Sequence, residues 1–324
     1  MRKIVLAGNL TNDAKKIFHT HFDERYKVLE ISNAEEIAEV ENVEYIITRG
    51  VPFLRKDISR LESQTKLIHR WGVGYDSVDI QAAAEKGIAV AICTGGNAQP
   101  VAEMTVLLML AIYRRLPDLI GRAKQGTKEK EDIITRSYLL KGKMVGLIGL
   151  GNIGKLVCKM LWGFGVSVQY YDLFRADPKV EEAFHLQYNP LKDLLRTSDI
   201  VSIHVPLLES TSHMISTEEF KLMKPSALLV NTARGGIIDT QAMLVALENG
   251  EIAGAALDTI EGEPLPAGHP IFTQPNVLLT PHGAGNTCDN TKNMCDIIIH
   301  NIEVMESGGM PEAKYVVNAE LLTT

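Results

Sequence analysis

Short apolar runs alternate with amphipathic segments through the first hundred residues of the chain. The runs read RKIVLAG, YKVLEI, VEYIIT, KLIHR and IAVAIC. Between them, stretches such as 11–21 and 79–86 carry the wider spacing of apolar positions that is typical of a helix. Strands that are interleaved with helices indicate βαβ units and a parallel sheet. The first hundred residues are therefore predicted to form one α/β unit.

A second α/β series follows an interruption in this pattern. The segment CTGGNAQP (93–100) ends the first series, and the residues from Val101 to about Lys124 are predicted to form one long helix. Pro100 stands where a helix start tolerates proline. The charged stretch 124–132 is typical of a solvated loop or a helix end. The later apolar runs read MVGLIG, VSVQYYD, DIVSIHV, SALLVN, IAGAALD and NVLLT, and six strands complete a doubly wound sheet.

The end of the chain is predicted to return to the first series. A helix from about Cys288 to Glu306 precedes the short apolar segment YVVN (315–318), which is placed to pack on the N-terminal unit. No internal repeat or low-complexity segment interrupts this division. The predicted fold class is therefore α/β, with two doubly wound parallel-sheet domains and a cleft between them.

Composition and charge narrow the classes of function. A chain of 324 residues suggests about two domains, and its net charge of −7 argues against a nucleic-acid partner, although a local basic patch remains open. The four cysteines lack CxxC spacing and are predicted to be reduced, and no metal site is predicted.

The start MRKIVLAG lacks the long apolar region of a signal peptide. The longest apolar stretch, Met104 to Tyr113, is about half of the roughly 20 residues that span a bilayer. We expect a soluble, cytoplasmic protein without a membrane partner.

A glycine-rich turn in the second series predicts a dinucleotide site. The segment GLGNIG (149–154) follows the strand MVGLI and opens the next helix. In such a turn Gly149 would make the tight bend, Gly151 would let the backbone approach a pyrophosphate, and Gly154 would let the helix pack closely on the strand. The helix N-terminus would supply N–H groups to the phosphates. The alternative is a glycine turn without a ligand.

Asp172 ends the strand that follows this helix. A carboxylate at that position accepts hydrogen bonds from ribose hydroxyls and repels a 2′-phosphate, so it favours NAD over NADP. Arg175 lies close enough along the chain to leave NADP open, and a solvated helix cap is the alternative role for Asp172.

Three later strands are each followed by a chemically capable side chain. Arg234 follows SALLVNTA, Glu263 lies shortly after Asp258 at the end of IAGAALD, and His282 follows NVLLTP. Taken singly, each side chain has an equally good alternative role. Arg234 would be a surface cation, Glu263 a loop carboxylate, and His282 a packed or capping imidazole. Together they suit the reduction of a 2-keto acid. The arginine would fix the carboxylate and polarise the carbonyl, the histidine would supply a proton, and the glutamate would orient the imidazole and favour its protonated form.

The motifs together resemble the D-isomer-specific 2-hydroxyacid dehydrogenases, and in particular the phosphoglycerate dehydrogenases. The match runs in order from about Gly72 to Asn318, whereas the first seventy residues resemble the family only in pattern. The segments that carry it are GVGYDSVD (72–79), GLGNIG with Asp172, HVPL (204–207), MKP (223–225), NTARGG (231–236), Leu257-Asp258 with Glu263-Pro264, and TPH (280–282).

The resemblance implies a role for each matching residue. Arg234, Glu263 and His282 would form the catalytic triad. Backbone N–H groups of Val73 and Gly74 would bind the substrate carboxylate with Arg234. The cofactor NAD would contact Gly149, Gly151, Asn152, Ile153, Gly154, Asp172, Val205, Thr232, Ala233 and Asp258.

The resemblance also implies the domain organisation. Residues 1–100 with 286–324 would be the substrate domain, and residues 101–285 would be the NAD-binding Rossmann domain. The segment from Val101 to about Lys124 would take part in the contact of a homodimer, and the cleft would close on binding.

The sequence leaves the identity of the 2-hydroxy or 2-keto acid substrate open. Arg49 and Arg70 lie at strand ends in the first series, where phosphoglycerate dehydrogenases carry phosphate-binding arginines, so 3-phosphoglycerate is one candidate. The alternative is that both pair with surface carboxylates such as Glu62. Three roles are open for Trp71: it narrows the pocket, stacks on an apolar substrate or belongs to the core. Glyoxylate, hydroxypyruvate or a bulkier 2-keto acid is the competing class of substrate, and an NAD(H)-sensing, corepressor-like binding protein is the competing function.

Overall fold

The chain folds into two units in the computed structural model, which describes residues 1–128 and 130–322. Unit 1 comprises Met1–Asn97 and Asn286–Thr324, and unit 2 comprises Ala98–Gly285. The first boundary thus lies three residues before the one expected from the sequence, and the second lies at the same place. The C-terminal segment belongs to the N-terminal unit.

The described residues form twelve strands and twelve α-helices, numbered here in chain order. The strands are β1 (Lys3–Gly8), β2 (Lys27–Ile31), β3 (Val43–Arg49), β4 (Leu67–Arg70), β5 (Ala89–Ala91), β6 (Met144–Ile148), β7 (Ser167–Tyr171), β8 (Leu186–Tyr188), β9 (Ile200–Ile203), β10 (Leu228–Asn231), β11 (Gly254–Leu257) and β12 (Val277–Leu279). The helices are α1 (Asn12–Phe22), α2 (Arg55–Ile58), α3 (Ile80–Glu85), α4 (Ala98–Tyr113), α5 (Leu116–Lys124), α6 (Glu131–Ile134), α7 (Asn152–Leu161), α8 (Pro178–Phe184), α9 (Leu191–Thr197), α10 (Thr217–Leu222), α11 (Thr240–Glu248) and α12 (Asn290–Glu306).

Unit 1 is built on a five-stranded parallel sheet. Its strand order is β2-β1-β3-β4-β5, which is the flavodoxin-like order. Alternate residues of each strand point to opposite faces, so Ile4 and Leu6 belong to a core that includes residues of α1 and α12, whereas Val5 and Ala7 belong to a core with residues of α2 and α3. Helices therefore cover both faces, as a doubly wound sheet requires.

Unit 2 is built on a seven-stranded parallel sheet. Its order, β12-β11-β10-β9-β6-β7-β8, is the Rossmann order with one more strand at the β12 edge. One face packs against residues of α4 and α7, and the other packs against residues of α9, α10 and α11. The strand order reverses between β6 and β9, and ligands of open α/β sheets bind in the crevice at such a point. The predicted α/β fold class is confirmed.

Two predicted elements differ from the structure. The single long helix expected after Val101 is two helices, α4 and α5, because Arg115 takes a left-handed conformation (φ +51°) and Pro117 in the first turn of α5 cannot continue the helical hydrogen bonding. The sheet of unit 2 has a seventh strand, β8, whose three residues are too few to show a pattern. In the charged stretch 124–132, Glu129 lies outside the described residues.

The end of the described chain packs on unit 1. Val316 forms an antiparallel bridge with Ala91, and the backbone N–H of Val317 donates to the carbonyl of Val90 (2.9 Å). The Asn318 side chain is buried and exchanges hydrogen bonds with the backbone of Val90 and Ile88. These contacts explain the apolar YVVN segment.

None of the described helices combines the length and apolar character needed to cross a membrane. The described residues also contain no group of three or more His, Cys, Asp or Glu side chains that could hold a metal ion.

Candidate active site

The residues predicted for unit 2 gather at one edge of its sheet. All pairs of neighbouring strands in this sheet are parallel, so their carboxyl ends lie at the same edge. The residues that follow those ends are Gly149 after β6, Asp172 after β7, Val205 after β9, Thr232, Ala233 and Arg234 after β10, Asp258 after β11, and His282 after β12. This edge includes the point where the strand order reverses.

The three glycines of the loop after β6 differ in their surroundings. A Cβ at Gly149, whose φ is +100°, would lie 2.8 Å from the backbone of His204, and a Cβ at Gly154 would lie 2.4 Å from the carbonyl oxygen of Gly149. A Cβ at Gly151 would meet no atom within 4 Å. Two glycines therefore permit close packing within the protein, and the middle one faces open space, which a pyrophosphate needs in order to approach the backbone.

The start of α7 offers unused hydrogen-bond donors beside this space. Among the hydrogen bonds of the described residues, none is donated by the backbone N–H of Gly151, Asn152 or Ile153. Such free donors at a helix N-terminus, with the partial positive charge of the helix, attract phosphate oxygens.

The Asp172 carboxylate lies next to the glycine loop. Its Oδ2 accepts from the backbone N–H of Leu150 (2.8 Å), and its Oδ1 accepts from that of Phe174 (3.3 Å). An ionised carboxylate has about four acceptor positions, so it retains capacity for two ribose hydroxyls. The loop and Asp172 together fit the adenosine and pyrophosphate parts of NAD.

Glu263 and His282 form a hydrogen-bonded pair. The distance between Glu263 Oε1 and His282 Nδ1 is 2.6 Å, and the two side chains are 33% and 48% exposed. Because Nδ1 faces the carboxylate, the other ring nitrogen, Nε2, is the one left for a substrate. A half-exposed imidazole with one fixed nitrogen is suited to proton transfer.

Asp258 holds the backbone segment that carries His282. This carboxylate is only 1% exposed and accepts from the Thr280 hydroxyl (2.6 Å) and the backbone N–H groups of Gly283 (2.9 Å) and Ala284 (2.8 Å). The backbone N–H of His282 donates to the carbonyl of Asp258 (2.9 Å), and its φ of +50° is left-handed. The resemblance implied that Asp258 lines the cofactor; its contacts in the structure are with this segment.

Asn231 organises the loop that carries Arg234. Its buried side chain donates to the carbonyl of Arg234 (2.9 Å) and accepts from the backbone N–H of Ala233 (2.9 Å). The Arg234 guanidinium donates to the carbonyl of Ala233 (2.8 Å), and Thr232 shares a hydrogen bond with the Thr105 hydroxyl of α4 (2.8 Å). Sequence reasoning gave Asn231 no role, although an asparagine that ends a buried strand is a signal for a turn held by its side chain.

His204 lies behind the glycine loop, directly after β9. Its Nε2 shares a hydrogen bond with the Ser202 hydroxyl (2.9 Å), and burial lowers the pKa of this imidazole to about 4. His204 is therefore neutral at physiological pH. Val205 follows it at the same edge and is half-buried.

The arginines predicted for unit 1 also lie at one sheet edge. Arg49 ends β3 and Arg70 ends the neighbouring strand β4. Arg49 donates to the Asn286 side chain (2.8 Å) and lies over the Trp71 ring (5.7 Å to its centroid), whereas Arg70 Nε donates to the carbonyl of Gly74 (3.1 Å).

Glu62 and Trp71, the two residues named in the open alternatives, have contacts of their own. Glu62, the carboxylate proposed as a surface partner, accepts from the backbone N–H of Asn42 (2.6 Å). Trp71 is partly buried and packs edge-on against Phe18 at the margin of the core on that face. Among the hydrogen bonds of the described residues, none is donated by the backbone N–H of Val73 or Gly74, so both remain available to an anion.

Comparisons with known proteins point in the same direction. Residues 106–284 match the family described as D-isomer specific 2-hydroxyacid dehydrogenase, NAD binding domain. The chain is 42% identical over 259 residues to a glyoxylate reductase of Thermofilum pendens, covering 79% of this chain and 76% of that protein. It is 33% identical over 312 residues to a D-3-phosphoglycerate dehydrogenase of Methanocaldococcus jannaschii, covering 96% and 59%. The solved structure of a glyoxylate reductase from Paecilomyes thermophila is similar with a TM-score of 0.85, 28% identity and 98% coverage of both chains.

Proposed function

The chain belongs to the D-isomer specific 2-hydroxyacid dehydrogenase family, and from that premise we propose how its own residues interconvert a D-2-hydroxy acid and the corresponding 2-keto acid with NAD. The observation that carries the proposal is the Glu263–His282 hydrogen bond of 2.6 Å. It lies at the same sheet edge as the glycine loop, so a proton donor and a nucleotide site occur together.

His282 is the proton donor in keto-acid reduction and the acceptor in the reverse direction. Glu263 holds Nδ1, so the proton that reaches the substrate oxygen is carried on Nε2. Asp258 and Thr280 are hydrogen-bonded and hold the backbone segment that carries His282. The imidazole is thus kept in place through its backbone, and its ring nitrogens are not used for this purpose.

Arg234 binds the anionic end of the substrate. A guanidinium presents paired N–H groups in a plane, which match the two oxygens of a carboxylate and leave an N–H for the carbonyl oxygen. The Asn231 side chain fixes the backbone of this residue. In unit 1, the free N–H groups of Val73 and Gly74 are a further donor pair for a carboxylate.

The start of α7 and Asp172 hold the cofactor. Gly151, Asn152 and Ile153 supply N–H groups for the pyrophosphate, and Asp172 accepts from the adenosine ribose. Val205, Thr232 and Ala233 lie at the strand ends assigned to the nicotinamide side. NADH, when bound, supplies the hydride that reduces the carbonyl carbon.

The substrate is a small anionic 2-keto acid, with a phosphorylated three-carbon acid as the first candidate. Arg49 and Arg70 end adjacent strands and concentrate positive charge on an acidic protein. The test is a panel of 2-keto and 2-hydroxy acids followed by NADH absorbance, repeated with Arg70→Ala. Loss of at least tenfold in kcat/KM for the phosphorylated acid, without an equal loss for glyoxylate, is the expected result. If no phosphorylated acid is turned over, the proposal that Arg49 and Arg70 bind a substrate phosphate is wrong.

Glyoxylate is the second candidate, and two observations favour it. Proteins named glyoxylate reductase are among the similar sequences and structures. Trp71 also places a large ring, held between Phe18 and Arg49, beside the segment that contains Val73 and Gly74. This bulk leaves less room for a substrate side chain. A kcat/KM for glyoxylate well above that for every three-carbon acid would establish this alternative, and NADH binding without any turnover would instead revive the corepressor-like function.

We propose a homodimer whose contact includes the segment from Val101 to about Lys124. Large apolar side chains are exposed along it, including Leu107 (51%), Leu116 (40%) and Ile120 (46%), although exposed apolar surface is costly in a monomer. The double change Leu107→Lys and Ile120→Lys should convert a dimer to a monomer in light scattering after gel filtration. An unchanged mass would place the contact elsewhere.

A cytoplasmic location is proposed because the four cysteines are free thiols. Cell fractionation followed by alkylation of free thiols and mass spectrometry tests this. Protein recovered outside the cytoplasm would contradict it.

A further inference from the structure

An arginine lies near the carboxylate that is assigned to the adenosine ribose. Arg175 follows Asp172 by three residues, on the loop between β7 and α8. An arginine near the end of this strand is the group that accommodates the 2′-phosphate of NADP in Rossmann folds. Position in the sequence therefore leaves the choice of cofactor undecided, and the contacts of Arg175 become the deciding observation.

The guanidinium of Arg175 is held in a two-point ion pair. Its Nε and Nη2 donate to Oε1 and Oε2 of Glu181, each at 2.9 Å. It also lies over the ring of Tyr188, 5.4 Å from the ring centroid. These contacts use one of the two planar pairs of N–H groups with which a guanidinium matches two phosphate oxygens, and they turn that edge towards α8.

The partner carboxylate is itself fixed. The side chain of Glu181, on α8, is 13% exposed and accepts from the buried hydroxyl of Tyr170 (2.6 Å), which in turn accepts from the backbone N–H of Ala176 (2.9 Å). The hydrogen bond from Arg175, followed by that from Tyr170, lowers the pKa of Glu181 to about 2. Glu181 is therefore ionised at physiological pH, and its position is set by the strand beneath it.

We propose that Glu181 is a cofactor-specificity residue, which engages the Arg175 guanidinium and so withholds it from the 2′-phosphate of NADP. The proposal rests on the proposed binding of the adenosine end of the cofactor beside Asp172. The two carboxylates then act in different ways: Asp172 repels the phosphate, and Glu181 removes the cation that would compensate for that repulsion. Because the Arg175 side chain is 62% exposed, the ion pair adds little to stability, and the fold is expected to survive its loss.

The experiment measures nucleotide binding directly. The probes are 2′,5′-ADP and 5′-AMP, which differ by the 2′-phosphate, and their dissociation constants are determined by calorimetry. The starting variant is Asp172→Ser, because it removes the repulsion that would hide the effect. Adding Glu181→Gln is expected to tighten 2′,5′-ADP binding about fivefold to tenfold and to leave 5′-AMP binding unchanged.

Two further variants assign the gain to Arg175. Arg175→Gln, added to Asp172→Ser and Glu181→Gln, is expected to abolish it. Glu182→Gln, added to Asp172→Ser, is the matched control, because Glu182 is the next residue of α8, is exposed and carries the same charge. It is expected to change 2′,5′-ADP binding by less than about twofold.

Three outcomes would overturn the proposal: no gain with Glu181→Gln, a gain of equal size with Glu182→Gln, or a gain that persists without Arg175. Circular dichroism melting checks that each variant is folded, and Glu181→Ala replaces Glu181→Gln where it is not. Because binding is measured without turnover, failure to reduce any 2-keto acid would count against the proposed function alone.

Discussion

At the scale of single residues, the site depends on which nitrogen of His282 is free. The 2.6 Å contact of Nδ1 with Glu263 uses one ring nitrogen, and the carboxylate therefore selects the orientation in which Nε2 faces outward. Without that contact a side chain that is 48% exposed would sample several rotamers. Glu263 is thus expected to affect the proton transfer through His282 and to leave cofactor binding largely unchanged.

The replacement His282→Ala is expected to lower kcat by about two to four orders of magnitude, because the proton donor is lost. Glu263→Gln should lower kcat by about tenfold to a hundredfold and alter its pH profile, since an amide orients the ring without carrying a charge. Both are measured as NADH oxidation with the best keto acid. His300→Ala, which removes an exposed histidine of α12, is the control. A His282→Ala enzyme with the wild-type rate would exclude this residue as the donor.

At the scale of elements, two glycines in the turn from β6 into α7 have different roles, one in folding and one in ligand binding. A Cβ at Gly154 would lie 2.4 Å from the Gly149 carbonyl oxygen, inside van der Waals contact, so the helix would have to move away from the loop. A Cβ at Gly151 would enter open space, and its φ of −75° suits alanine. One glycine serves the packing of the helix, and the other serves the approach of a ligand.

These surroundings predict opposite effects of two alanine substitutions. Gly154→Ala is expected to destabilise the protein by about 1–3 kcal/mol, visible as a lower melting temperature. Gly151→Ala should leave the melting temperature of the free protein unchanged and weaken NADH binding at least tenfold, because the methyl group occupies the path of the pyrophosphate. Fluorescence titration with NADH measures the binding. If both substitutions change NADH binding and the melting temperature to the same extent, the two glycines do not have separate roles.

Sequence patterns predict elements well where the signal is local. The strand runs, the glycine turn and the parallel order follow from the alternation of apolar and amphipathic segments, and they place Glu263 and His282 at strand ends that adjoin in the sheet. Other features depend on contacts between distant segments. The pairing of Asp258 with the 280–284 segment, and of Arg175 with Glu181 on the following helix, is fixed by packing that no local pattern encodes.

At the scale of the whole molecule, each unit contains one histidine that burial keeps neutral. In unit 1, His69 is fully buried, its Nδ1 lies 3.1 Å from the carbonyl of Arg70, and its Nε2 lies 3.0 Å from the Asn301 side chain of α12. These contacts suit a neutral ring that donates from Nδ1 and accepts at Nε2. In unit 2, His204 lies behind the glycine loop. Burial lowers the pKa of both to about 4.

Acid is therefore expected to destabilise both units before most carboxylates are protonated. The folded-state pKa values of His69 and His204 lie below the value of about 6.5 for an unfolded chain, so the unfolded state binds more protons between pH 6.5 and 4. The stability that these histidines contribute is complete above pH 6.5 and is lost as the pH falls through that window, by about 3 kcal/mol for each. Urea unfolding at pH 7, 6 and 5 measures this loss, and His69→Gln and His204→Gln should each flatten the dependence, whereas His300→Gln should not. A free energy of unfolding that stays constant down to pH 5 would show that the two imidazoles become protonated in the folded state at little cost.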